Sequence, residues 1–279
     1  MRSLWLALAT YIGMVTTVGK KRLGFGCRVY GLGVMAMGLA CLAFREFDPG
    51  QPVPEHFPYR TVLAYVAGMF IVVAAAAVEW RRTAAWGAAA LAVYYGLFVV
   101  ILLDGRQLLT HYAEYGIYEN LSMQLALALG GLMVYATAAK IDVALSQRLT
   151  RVGQLAFGVC TLIWGGAHFV YMNLTAPLVP KWLPPSQVFW GYVTGVCFVA
   201  AGLAILTGIK ARLAAILLTV MIACFGLLVN DRILVTGVLS SHWNWSESSL
   251  NLALIGVAWM VAESMPQSRG GLVDRKASR

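Results

Sequence analysis

Eight apolar runs constrain this chain more than any other feature. They lie at roughly 24–44, 61–80, 84–103, 120–138, 152–172, 187–207, 212–230 and 248–263. Each is close to the ~20 residues a helix needs to cross a ~30 Å hydrocarbon core. In lipid, backbone N–H and C=O groups must pair within their own segment, so apolar runs of this length are expected to be helices. The weaker alternation of a membrane β-barrel is absent. Composition agrees: 12% of the residues are charged, about half the ~25% of a soluble domain. The expected fold is all-α: a polytopic integral membrane protein with eight transmembrane helices in two tandem four-helix bundles. A further apolar segment, Leu4 to Gly19, is stopped by Lys20-Lys21-Arg22. It is either a short ninth span or an interfacial segment. Its positive cluster follows the apolar run, which is the wrong order for a signal peptide.

The tandem expectation rests on one loop that occurs twice. PLVPKWLPPSQVFWGYVTG runs from Pro177 to Gly195, and PVPEHFPYRTVLAYVAG from Pro52 to Gly68. Val53-Pro54 aligns with Val179-Pro180, Pro58 with Pro184, and Tyr65 to Gly68 with Tyr192 to Gly195, at offsets of 126 to 127 residues. Leu125-Ala126-Leu127 and Leu252-Ala253-Leu254 are again 127 apart. The expected divisions are an N-terminal segment (1–23), a first four-helix unit (24–145), a second unit (146–265) and a basic tail (266–279). An even number of spans per unit gives both copies the same orientation, a parallel repeat. Pro54, Pro58, Pro180 and Pro184 fix the backbone of this structural loop. Gly195, with Gly191, lets a neighbouring helix approach closely.

Basic residues set the expected orientation. Of 21 Lys and Arg, five (Arg45, Arg60, Arg106, Lys181 and Arg232) fall beside the Pro-rich and Trp-rich connections, and Arg2 is unassigned. The other fifteen fall in the tight turns, the 140–151 linker, the 20–28 cluster and the C-terminus, which are therefore expected in the cytoplasm of a plasma (bacterial inner) membrane. The net charge of +9 has this explanation, and nucleic acid is not an expected partner. The lipid bilayer is.

Chemistry is thinly written in the sequence. The five cysteines form no C-x-x-C and are read as packing residues. His56, His111, His168 and His242 all fall toward the outer side without metal-ligand spacing, and no metal site is expected. Asp104 with Arg106 reads as an ion pair or headgroup contact. His168, Asn173, Trp182, Tyr192, Asp231, Trp245, Glu247, Asn251 and Gln124 are the candidates for an outer-face pocket, with Gln124 and Asn251 at matching positions. Polar residues at that depth usually face a cavity or the bundle interior. Interhelical hydrogen bonding and an aromatic belt are the plainer readings of several of them. No nucleotide-binding glycine fingerprint, metalloprotease helix or nucleophile elbow is present, and no catalytic residue is assigned.

The second unit resembles the DoxX-like family of small four-helix membrane proteins, which includes the DoxD subunit associated with thiosulfate:quinone oxidoreduction. The residues that carry the resemblance are GGAHFVYMN around His168, LVPKWLP from Leu178, WGYVTGVCFVAAGLAIL from Trp190, KARLAAILLTVMIACFGLLVN from Lys210, and WSESSLNLALIG from Trp245. The resemblance implies a plasma-membrane bundle and, in some members, quinone- or thiol-linked redox partners. The resulting expectation is a non-catalytic membrane subunit or scaffold for a membrane or periplasmic oxidoreductase, with quinone as a cofactor candidate. The alternatives are a small-solute transporter or exporter, and a quinone-linked membrane oxidoreductase using His168, Asp231 and Glu247.

Overall fold

The computed structural model describes residues 23–230 and 241–266. The expectations for the Leu4–Gly19 segment, the Lys20–Arg22 stop, Asp231, Arg232 and the tail beyond Pro266 lie outside the described residues. Those described are helices, turns and loops, with no strand. α1 is Phe25–Phe44 and α2 Arg60–Glu79. α3, Ala84–Thr110, is a continuous rod with a π-helical stretch from Tyr94 to Asp104. α4 is Tyr115–Ala138 and α5 Val143–Val170. α6 is Gln187–Thr207; α7 is Ala211–Phe225, continued by a π turn Gly226–Asn230; α8 is His242–Ser264.

Seven of these, α1 to α7, are long and apolar enough to cross a membrane. α8 is as long, at 23 residues, but stands outside that group. Its first two turns carry His242, Asn244, Ser246, Glu247 and Ser248, which dilute its apolar character.

Several helices run past their apolar cores. α5 begins nine residues before its apolar run, because Asp142 caps it by accepting from the N–H groups of Ala144 and Leu145 at 2.9 and 3.2 Å. α8 begins at His242 because Ser241 caps it. Trp243, Trp245 and Glu247 therefore sit on a helix rather than in the expected Trp-rich loop. Hydropathy marks what lipid can cover, whereas capping marks where a helix starts.

Each helix packs on the next, α8 closes the circle on α1, and α4 and α8 meet across the middle. The α1–α8 interface is the most extensive. By contrast α1 barely touches α4, and α5 barely touches α8. The first four and last four helices are thus each open on one side, where the other set fills the gap, in place of two self-contained bundles. Small residues make the closure. A Cβ on Gly33 would strike the backbone of Ala253, and one on Gly26 would lie 2.8 Å from the Gly256 carbonyl oxygen. Such close approach supplies van der Waals contact, a main hold between helices wherever lipid surrounds them. Inside the ring, the fully buried Tyr30 hydroxyl donates to the Leu127 carbonyl at 2.8 Å, linking α1 to α4.

The ring has two ends. One carries the tight turns 80–83, 139–142 and 208–210. The other, the loop end, carries the loops 45–59, 111–114 and 171–186, together with the start of α8.

Candidate functional site

Two groups of polar side chains are enclosed at the loop end. The first is a pocket of about 180 Å³ between α4, α5, α6, α7 and α8. His168, in the last turn of α5, is its centre. The imidazole stands edge-on to Phe198 at 5.3 Å and lies 6.2 Å from Phe225, and Trp164 packs on Phe198 at 6.0 Å. Glu119 from α4, Glu247 and Asn251 from α8, and Thr194 from α6 complete its polar wall. The pocket therefore offers an aromatic lining, its rings set edge-on or tilted to one another, together with hydrogen-bonding groups.

His168, Glu247 and Asn251 line this pocket together. Of the remaining candidates, those among the described residues do not join them. Trp182 and Tyr192 are 65% and 49% exposed, and Asn173 is exposed as well. The Trp182 loop is held down by its backbone and by Gln187, leaving its aromatic ring outside. Trp245 is 38% exposed on the first turns of α8 and does not line the pocket. Gln124 is buried, but in the second group described below. Gly195 lies within α6, where its Cβ position is 2.9 Å from that of His168, so it permits α6 to pass the site and is not part of the loop. Pro54, Pro58, Pro180 and Pro184 do lie in loops. Glu119 went unnoticed because it is one acid among several near the loop end.

The second group was not anticipated. It lies between the end of α1, the loop 46–53, the π stretch of α3, and the starts of α4 and α8. Asp48 is 2% exposed; its Oδ2 accepts from the Ser246 hydroxyl at 2.6 Å and its Oδ1 from the Gly50 N–H at 3.0 Å. Burial pushes its carboxyl above the usual carboxylate range, against the opposing pull of those two donors and of nearby His242. Asn120 Nδ2 donates to the Gly50 carbonyl at 2.9 Å and to Asp104 Oδ1 at 3.0 Å. Asp104 is 1% exposed, so its expected surface role beside Arg106, which is exposed, does not hold. Tyr94 donates to Gln51 at 3.0 Å. The π stretch widens α3 where it delivers Tyr94, Tyr95 and Asp104; such stretches often occur at functional sites. Among the described residues, Gln51 Nε2, Asp104 Oδ2, Gln124 Oε1 and His242 Nε2 are buried without hydrogen-bond partners. Cys41, Asp48 and His242 present a sulfur, a carboxylate oxygen and a ring nitrogen all within 4.8 Å of one another. That donor set can hold a metal ion.

A larger cavity, about 1000 Å³, opens at the opposite end between the turns, with Arg151, Gln154, Lys210, Arg212 and Glu263 in its wall.

Residues 157–262 match a family model described as a domain of unknown function, DUF8561. The match begins within α5 and ends near the end of α8, so it spans the first pocket's α5 to α8 walls. No curated protein and no solved structure matches the chain.

Proposed function

We propose that this chain is a DoxX-like membrane subunit that holds a quinone at its loop end and serves an oxidoreductase partner. In this reading all eight helices span a plasma membrane, as two diverged copies of a four-helix unit, with the tight turns in the cytoplasm. The copies share more than sequence. Arg60 and Gln187, 127 residues apart, are the first residues of α2 and α6. Each reaches back to the carbonyl of the valine in its Val-Pro pair, Val53 or Val179. A π-helical stretch also lies in the second half of α3, and another continues α7.

The observation that carries the functional reading is His168 standing among Trp164, Phe198 and Phe225 with Glu119 and Glu247 at the pocket edge. A quinone head is a flat ring with carbonyls at its edge. Aromatic faces suit the ring, and imidazole can donate to a carbonyl oxygen. Titrating purified protein with a short-chain ubiquinone analogue should quench tryptophan fluorescence saturably, and His168→Ala should weaken binding about tenfold, the loss of one hydrogen bond in an apolar site. Quenching that does not saturate, or is unchanged in both His168→Ala and Glu247→Gln, would remove this reading.

A second reading, a small-solute transporter, is favoured by the two cavities facing opposite ends of one interface. Buried Phe157, Thr161, Leu218 and Val257 lie between them along α5, α7 and α8. Proteoliposomes without flux across a broad solute panel would exclude it.

A further inference from the structure

We propose that Cys41, Asp48 and His242 form a zinc site that pins the first loop to the start of α8. The three donors come from three separate segments: the last turn of α1, the loop that follows, and the first residue of α8. Nothing in local chain geometry requires them to meet, yet their donor atoms lie within 4.8 Å of one another. In a tetrahedral zinc site with bonds of about 2.0–2.3 Å, donors sit roughly 3.5 Å apart, so modest side-chain rotation closes the set. Thiolate, carboxylate and imidazole together suit zinc better than magnesium or calcium, which prefer oxygen alone.

The surroundings are those of a ligand set held in place. Ser246 and the Gly50 N–H fix both oxygens of Asp48. Phe44 stacks on the His242 ring, with centroids 4.8 Å apart and planes 12° from parallel. Such outer partners orient metal ligands and set their affinity. Charge points the same way. Among the described residues, no Lys or Arg forms an ion pair with the buried Asp48. A dication bound to one thiolate, one carboxylate and one neutral imidazole forms a neutral unit, which an apolar interior tolerates far better than a lone carboxylate. The thiol proton leaves to solvent on binding. Among the described residues the buried His242 Nε2 has no hydrogen-bond partner, and coordination through that nitrogen would remove the cost. Three protein ligands leave a fourth position for water.

The test uses the full-length protein in detergent, stripped with a chelator and reloaded with cobalt(II) in place of zinc. Wild type should show a near-ultraviolet thiolate-to-cobalt charge-transfer band at one cobalt per chain, reversed by zinc. Cys41→Ser should abolish the band. Asp48→Asn and His242→Ala should each weaken cobalt binding at least tenfold, and Cys160→Ser should leave the band unchanged. Folded wild type without a thiolate–cobalt band would overturn the proposal, whatever the variants do. So would a band that survives Cys41→Ser, or one that His242→Ala and Asp48→Asn leave at wild-type affinity. Failure of quinone binding would not bear on this result, because the two sites share no residue.

Discussion

Gly33 shows how little room single residues have where the circle of helices closes. Any side chain there meets the backbone of Ala253, and backbone cannot rotate away as a side chain can. Gly33→Val should cost about 1–3 kcal/mol or more, read as a clear fall in the thermal unfolding midpoint, while Gly96→Ala, with its nearest neighbour at 3.7 Å, should be nearly silent. At the same scale, some of the chemistry was legible and some was not. His168 could be read because it sits on an apolar helix near its end, where a polar residue needs a reason. Glu247 and Asn251 follow from the same logic on α8. Cys41, Asp48 and His242 could not be read, because His242 is 201 residues beyond Cys41 and only the closure of α1 on α8 joins them. Spacing rules detect ligands on one helix or loop and miss a set assembled by tertiary packing.

Among the elements, the first loop and α2 form one unit through Arg60. Its guanidinium pairs with Glu46 at 2.7 Å, donates to the Val53 and Pro54 carbonyls, and lies 5.6 Å over the Phe47 ring. The ion pair is partly solvated, so its share is small; the carbonyl bonds shape the loop. Arg60→Ala should cost about 1 kcal/mol and raise protease cleavage at the exposed stretch 55–59, with little change in overall helicity. Gln187→Ala should loosen the second loop in the same way and leave the first intact. Helix identity was legible throughout, since long apolar runs in lipid have one solution. Helix ends were not. Asp142 and Ser241 extend α5 and α8 through polar residues that hydropathy assigns to connections, and that extension puts His242 and Ser246 on a rigid helix beside Asp48.

For the whole molecule, helix content and the two-ended distribution of charge were visible in the sequence, but the arrangement was not. Four apolar helices per unit suggested four-helix bundles, and side-chain patterns carry no mark of which neighbour fills an open side. That depends on small residues such as Gly26, Gly33 and Gly256 meeting partners 220 or more residues away in the chain. The proposed orientation has a direct check. In intact cells a membrane-impermeant maleimide should label Lys181→Cys and should reach Arg82→Cys only after permeabilisation; the reverse pattern would invert the topology.

The packing of the first helix on the last also governs how the protein can be made. α1 begins to leave the ribosome more than 200 residues before α8 does, so in the proposed membrane setting its glycine-lined face must wait in the bilayer without its final partner. During synthesis that face is open to lipids, to insertion factors and to quality-control proteases. A chain cut short before α8 keeps seven apolar helices yet lacks both the wall that carries Glu247 and the residue His242, and should be degraded rapidly. Two fragments divided in the 139–142 turn, co-expressed, should instead find each other and survive, because each supplies the surface the other lacks. Recovery of stable, co-purifying halves, set against rapid loss of either half alone, would show that assembly is completed between segments and not along the chain.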